Sequence, residues 1–85
     1  MPSKQGELAG LITHYFSKIG VGVVELSGSL KVGDSIKVFG KGADFDQTVD
    51  SMEVDGQKVQ EAKPGIAIGL KLCQRAKEGC QVYKF

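Results

Sequence analysis

One nine-residue segment, Leu30–Val38, constrains the fold of this 85-residue chain more than any other feature. The Val-Gly-Asp at its centre, residues 32–34, predicts a tight turn, because glycine adopts backbone conformations that other residues avoid. Apolar and polar residues alternate on either side with the period of a half-buried strand. A second unit of this kind follows where Pro64-Gly65 precedes the apolar stretch 66–70. Two turn-then-strand units in this order favour a small closed β-barrel.

Glycine is unusually frequent in this chain, which contains twelve glycines but only two prolines. Short strands joined by tight turns need many glycines, whereas helical domains rarely do. The alternation predicts strands at residues 8–16, 21–26, 35–39, 45–54, 66–72 and 81–85, with a short connecting strand that begins at Val59. In the first of them, Ile12, His14 and Phe16 are expected on one face. At most a helical turn is expected, at residues 57–62 or 74–78.

These patterns predict one all-β domain over residues 8–85, preceded by a flexible tail at residues 1–7. The expected architecture is a six- to seven-stranded closed barrel of the Greek-key type. No apolar run approaches the roughly 20 residues that span a bilayer, and residues 1–7 do not lead into a signal peptide. We therefore expect a cytoplasmic protein without membrane association.

The residues that most often carry catalysis are few. His14 is the only histidine, and neither Thr13 nor Ser17 stands in an arrangement typical of a catalytic triad. The glycine-rich stretches 20–22 and 40–42 lack the Lys-Ser/Thr of a phosphate-binding loop. We predict no catalytic residue, no GTP binding and no cofactor, and hence no enzyme.

A metal site is not expected either. Cys73 and Cys80 would form either a disulfide or two reduced thiols, and a cytosolic protein favours the thiols. A zinc site needs about four ligands, and His14 is the only further standard donor. The carboxylates Asp44, Asp46 and Asp50 lack the glycine and the terminal glutamate of a calcium loop, so a solvated strand face is the simpler interpretation.

Basic residues cluster mildly on what we predict to be the final hairpin: Lys71, Arg75, Lys77 and Lys84. Tyr83 and Phe85 lie near them in sequence, and basic surfaces with aromatic side chains can hold single-stranded RNA. However, Tyr83 and Phe85 share one strand face, and we favour packing in the core for this pair. The formal net charge of +1 also gives little overall attraction for nucleic acid.

The chain resembles the second, barrel-forming domain of translational GTPases of the elongation factor Tu type. The resemblance is carried by Leu30–Val38, by Glu61–Gly65, by Ile68–Leu70 and by Glu78–Cys80, and it spans about residues 10–85. Cys80 departs from the polar turn residue usual in that family. The same kind of barrel is similar to the C-terminal domain of collagenase-like peptidases, where it accompanies a separate catalytic domain.

Two functions follow from these resemblances. The first is a stand-alone translation-factor-like β-barrel that binds RNA or ribosomal surfaces without catalysis through Lys71, Arg75, Lys77 and Lys84. The alternative is a protein-interaction subunit that supplies a barrel in trans to a separate catalytic protein. Such a subunit should display an exposed apolar patch or a free strand edge rather than a basic stripe.

Overall fold

The computed structural model describes residues 7–85, which form β-strands and turns without a helix. The ten strands are β1 (Glu7–Phe16), β2 (Val21–Leu26), β3 (Leu30–Lys31), β4 (Ser35–Gly40), β5 (Ala43–Thr48), β6 (Met52–Val54), β7 (Gln57–Val59), β8 (Glu61–Ala62), β9 (Ala67–Lys71) and β10 (Gln81–Lys84). The all-β prediction is confirmed, and neither segment that was allowed a helical turn, 57–62 or 74–78, forms one. The tail predicted for residues 1–7 lies outside the described residues except for Glu7, which begins β1.

The strand count exceeds the predicted six to seven for two reasons. The strand predicted at residues 45–54 divides into β5 and β6, because residues 49–51 do not belong to either strand. The strands β3 and β8 are two residues long and pair only with each other. Segments this short carry too little alternation to be recognised from sequence.

Eight strands form one antiparallel sheet in the order β5-β4-β10-β1-β2-β9-β6-β7. The first strand, β1, pairs with the last, β10, in the middle of this sheet, where Glu7 lies opposite Lys84. Consecutive hairpins join β1 to β2, β4 to β5 and β6 to β7. The remaining long strands, β9 and β10, are inserted between strands that come much earlier in the chain.

This sheet is strongly curved. Strands β5 and β6 lie six positions apart in the sheet order, which would separate them by about 29 Å if the sheet were flat. Yet only residues 49–51 connect them, and the Cα atoms of Thr48 and Met52 lie at most about 15 Å apart along a fully extended chain. The sheet must therefore curl so that its two ends approach each other.

The curved sheet encloses a core of aliphatic side chains. The largest fully buried residues are Ile12, Leu30, Ile36, Met52, Ile68 and Leu70, accompanied by Val24, Val38, Val49, Val82 and Cys80. Ile36 and Val38 both face this core, as the alternation within Leu30–Val38 indicates. Leu30 and Val38, the two ends of that segment, are both buried.

The Val-Gly-Asp motif forms the expected turn. Gly33 has a φ of 99°, and Asp34 N donates to Lys31 O over 3.1 Å. The Asp34 carboxylate in turn accepts a hydrogen bond from Lys31 N at 3.0 Å. The turn therefore needs glycine for its backbone and aspartate for its side chain.

Two irregularities in β1 change which side chains face the core. The register of β1 shifts against β10 between Leu8 and Gly10, and against β2 between Ile12 and His14. The second shift adds Thr13 as an extra residue, so that Tyr15 packs against the core while His14 and Phe16 are exposed. The prediction that Ile12, His14 and Phe16 share a face is wrong, because a bulge reverses the alternation.

Candidate protein-interaction surface

An apolar patch lies on the outer face of the sheet where β4, β10 and β1 run side by side. Leu11 lies opposite Gln81, and Gln81 lies opposite Phe39. In the neighbouring position Leu8 lies opposite Tyr83. We call these five residues the outer patch. Leu8, Leu11 and Phe39 are 46%, 42% and 47% exposed, so three large apolar side chains meet water on the two strands that flank β10.

The polar groups inside the outer patch bond to each other. The Tyr83 hydroxyl donates to Gln81 Oε1 over 2.7 Å, and both side chains are half-buried. Covering this pair with a partner would leave the hydroxyl proton and the amide oxygen satisfied. The cost of removing water from the patch is therefore lower than for unpaired polar groups.

Charged side chains border the outer patch at both ends of the row formed by Leu11, Gln81 and Phe39. Asp44 lies opposite Phe39 on β5, and Glu25 lies opposite Leu11 on β2. Lys37, next to Tyr83 in the adjacent row, pairs with Asp44 over 3.1 Å. An apolar centre with a charged border is the typical composition of a protein-binding surface.

The four predicted contact residues, Lys71, Arg75, Lys77 and Lys84, do not come together as one surface. Arg75 and Lys77 line the same pocket, near the end of β1. Lys71 lies on β9, where its Nζ donates to Ile19 O over 2.8 Å. Lys84 is half-buried and donates to Ser29 O over 3.1 Å. The final hairpin assumed for these residues is wrong, because β1 and β2 separate β9 from β10.

The aromatic residues of β10 point away from the core. Val82 is fully buried and takes the inward position, so Tyr83 faces outward and Phe85 is exposed. The prediction that Tyr83 and Phe85 pack in the core is therefore wrong. Tyr83 and Phe85 have the same parity, as predicted, but that parity faces away from the core.

The single histidine lies at the surface in a polar and aromatic contact. His14 Nδ1 lies 3.1 Å from Glu78 Oε2, and its ring meets Phe16 edge to face with centroids 4.4 Å apart. More than half of each side chain of the His14–Glu78 pair is exposed, so the pair adds little to stability. Neither contact of His14 supplies a hydroxyl or thiol nucleophile.

Both cysteines are free. Cys73 is exposed, and Cys80 is buried with its Sγ 3.0 Å from Gly40 O. The disulfide alternative is thereby contradicted. Within residues 7–85, no group of three or more His, Cys, Asp or Glu side chains is placed to hold a metal ion. The same residues contain no helix able to cross a membrane.

Comparison with known proteins found one curated relative and several solved structures that are similar to this chain. No family model matches the chain. An uncharacterized protease of Methanocaldococcus jannaschii is 35% identical over 75 residues, which make up 87% of this chain but 18% of the protease. The chain thus matches less than a fifth of this relative, and more than four fifths of the relative lies outside the match.

Two solved structures share the fold over nearly their whole length. Both are crystal structures of the C-terminal domain of a putative U32 peptidase from Geobacillus thermoleovorans, one of them the selenomethionine variant. The variant has a TM-score of 0.86 at 23% identity and covers 92% of this chain and 99% of its own. The other structure also has a TM-score of 0.86, at 22% identity, and covers 100% of this chain and 99% of its own.

These likenesses correct the first functional prediction. The prediction of a translation-factor-like module that binds RNA or ribosomal surfaces is wrong, because the relative is a named protease and the structural neighbours are a peptidase C-terminal domain. The second resemblance, to the C-terminal domain of collagenase-like peptidases, fits them. The motifs that suggested a translation factor, such as Leu30–Val38, encode turns and strands, which unrelated functions can share.

Proposed function

We propose that this chain is a non-catalytic accessory domain that packs against a separate catalytic domain through the outer patch. The observation that carries the proposal is the exposure of Leu8, Leu11 and Phe39 on either side of Gln81 and Tyr83 of β10. Single exposed apolar residues are common on proteins, but a contiguous set bordered by charges is typical of an interface.

The comparisons support the kind of partner. In the M. jannaschii protease, the segment similar to this chain is joined to a much larger remainder. In the G. thermoleovorans peptidase, a domain of the same fold is the C-terminal part of the protein. A catalytic domain of the peptidase type is therefore the partner that we assign to the outer patch.

The accessory domain is also proposed to be a closed barrel, as its curvature suggests. The Gln47 side chain extends from the edge strand β5 toward the far side of the sheet, where its Nε2 donates to Lys71 O over 2.9 Å. Its Oε1 accepts a hydrogen bond from Cys73 N over 2.7 Å. The amide thus bridges β5 to the chain around the end of β9, in place of a backbone ladder.

The patch assignment predicts that Phe39→Lys weakens binding to a catalytic domain at least about tenfold. The substitution replaces an apolar contact with a charge that would have to be buried without a partner. The measurement is isothermal titration calorimetry of the 85-residue chain with the M. jannaschii protease from which the matching segment has been removed.

Ile66→Lys is the matched control, because Ile66 is also an exposed apolar residue but lies outside the outer patch. It should bind as the unmodified chain does, and both variants should keep the unmodified melting temperature. Equal binding by Phe39→Lys and the unmodified chain would contradict the assignment of the patch. Failure of the unmodified chain to bind at all would contradict the proposed function.

A further inference from the structure

A second surface feature lies beside the outer patch and differs from it in chemistry. A pocket of about 540 Å³ opens between the end of β1, the turn after β4 and the loop that precedes β10. Three cations line it, Lys41, Arg75 and Lys77, together with the hydroxyl-bearing Tyr15 and Ser17. We call it the basic pocket. Arg75 and Lys77 are two of the predicted contact residues, whereas Lys41 is not.

The basic pocket carries an excess of positive charge. Glu78 is the one carboxylate in its lining, and it contacts His14. Within residues 7–85, the ion pairs are His14–Glu78 and Lys37–Asp44, so none of the three cations is paired there. Residues 1–6 contain no aspartate or glutamate that could neutralise them. The pocket therefore attracts an anion from outside the described chain.

The backbone at Lys41 is unusual for a lysine. Gly40 pairs with Ala43, so Lys41 and Gly42 form a two-residue hairpin turn with φ values of 48° and 87°. Asparagine, aspartate or glycine is the usual residue at the first of these positions, because other side chains are strained at positive φ. A strained residue is often retained for its side chain, which here supplies a charge to the pocket.

The side chain of Lys41 runs along the turn at Gly79. Gly79 has a φ of 95°, and a Cβ at this position would lie 3.0 Å from Lys41 Cε. The aliphatic part of Lys41 therefore passes close to the backbone of Gly79. Lys41 itself is exposed, so its ammonium group is accessible to a ligand.

The basic pocket lies at the ends of two strands that carry the outer patch. Lys41, in the turn after β4, follows Phe39 by two residues, and Lys77, in the loop before β10, precedes Gln81 by four residues. A ligand lying across the apolar row of the outer patch would thus reach the three cations by extending past the ends of β4 and β10.

We propose that the basic pocket binds the carboxylates of an acidic peptide segment whose neighbouring apolar residues lie on the outer patch. This inference rests on the proposed function, because the segment would belong to the partner protein. The charge excess selects acidic side chains, and the adjoining apolar row selects a chain that continues into leucine or phenylalanine.

The test is an NMR titration of the isotopically labelled 85-residue chain with a synthetic peptide that carries glutamates at one end and leucine and phenylalanine at the other. Amide shifts are expected at Lys41, Arg75 and Lys77, and a peptide with glutamine in place of glutamate should leave them unmoved. Raising the salt concentration should weaken binding. Absence of shifts in the pocket with the acidic peptide would overturn the proposal.

Three substitutions sharpen this titration. Lys41→Asn should weaken binding about threefold to fivefold, the loss of one partly exposed ion pair, while its thermal stability is kept or raised because asparagine suits the turn. Glu78→Gln should strengthen binding, because it removes the one carboxylate of the lining. Lys63→Gln, which removes an exposed lysine outside the pocket, should change nothing. Equal affinity of Lys41→Asn and Lys63→Gln would overturn the proposal.

Two further outcomes separate this inference from the proposed function. If the catalytic domain binds in a Phe39-dependent manner while the acidic peptide does not bind, the basic pocket fails and the accessory function stands. The bound acidic peptide can also be displaced, at equal ionic strength, either by inorganic phosphate or by an excess of the same unlabelled peptide. If phosphate displaces it as strongly as the unlabelled peptide does, the pocket is a general anion site and the assignment to an acidic segment is overturned.

Discussion

Replacing Gly10 with alanine is expected to lower the free energy of unfolding by about 3 kcal/mol. A Cβ at Gly10 would lie 2.6 Å from Val24 Cγ1 and 2.7 Å from Glu25 O. The carbonyl oxygen belongs to the backbone of β2, which pairs with β1 at this point. Relief of the contact would therefore require the two strands to separate beside the fully buried side chain of Val24.

Urea unfolding followed by circular dichroism measures this loss, which corresponds to a decrease of about 15 °C in melting temperature for a domain of this size. Gly28→Ala is the matched control. Its Cβ would lie no closer than 3.4 Å to any atom, at Leu8 O, and its φ is not positive. Gly28→Ala should remain within about 0.5 kcal/mol of the unmodified chain. Similar stabilities for the two variants would contradict the close approach of β1 and β2.

Replacing Gln47 with methionine is expected to cost about 2 kcal/mol. Methionine matches the length of glutamine but cannot hydrogen-bond to Lys71 O and Cys73 N, the two groups that the amide bridges. The bridge joins β5 to a segment far from it in the order of the sheet. Its loss should loosen the two ends of the curved sheet before it affects the centre.

Hydrogen exchange of the Cys73 amide gives a local readout for the same variant. The Cys73 amide proton should exchange faster in Gln47→Met, whereas Gln57→Met, at an exposed glutamine of β7, should alter neither this exchange nor stability. Unchanged protection of Cys73 would show that the bridge is absent in solution.

Local patterns predicted most of the strands of this fold. The segment Val21–Leu26 has the bounds that its β-branched residues indicate. Asp55-Gly56, a dipeptide typical of two-residue hairpin turns, forms such a turn with φ values of 53° and 79°. Such features depend on residues close in sequence. The order of the strands depends on distant pairings, and no local pattern places β10 between β1 and β4.

The candidate surfaces were harder to predict for the same reason. Phe39 has the parity opposite to Ile36 and Val38, so its exposure could be anticipated from sequence. The position of Phe39 near Leu11 could not be anticipated, because it depends on β10 lying between β4 and β1. Likewise, Lys41 approaches Arg75 and Lys77 only through the folded turn at Gly79.

The pairing of β1 with β10 at the centre of the sheet governs the order in which this domain can fold. One edge of β1 remains unpaired until β10, which follows every other strand of the sheet along the chain, has been synthesised. Pairings between such distant segments are also slow to form, on a timescale of about milliseconds to seconds. During that interval the apolar side chains of β1 are open to association with other nascent chains.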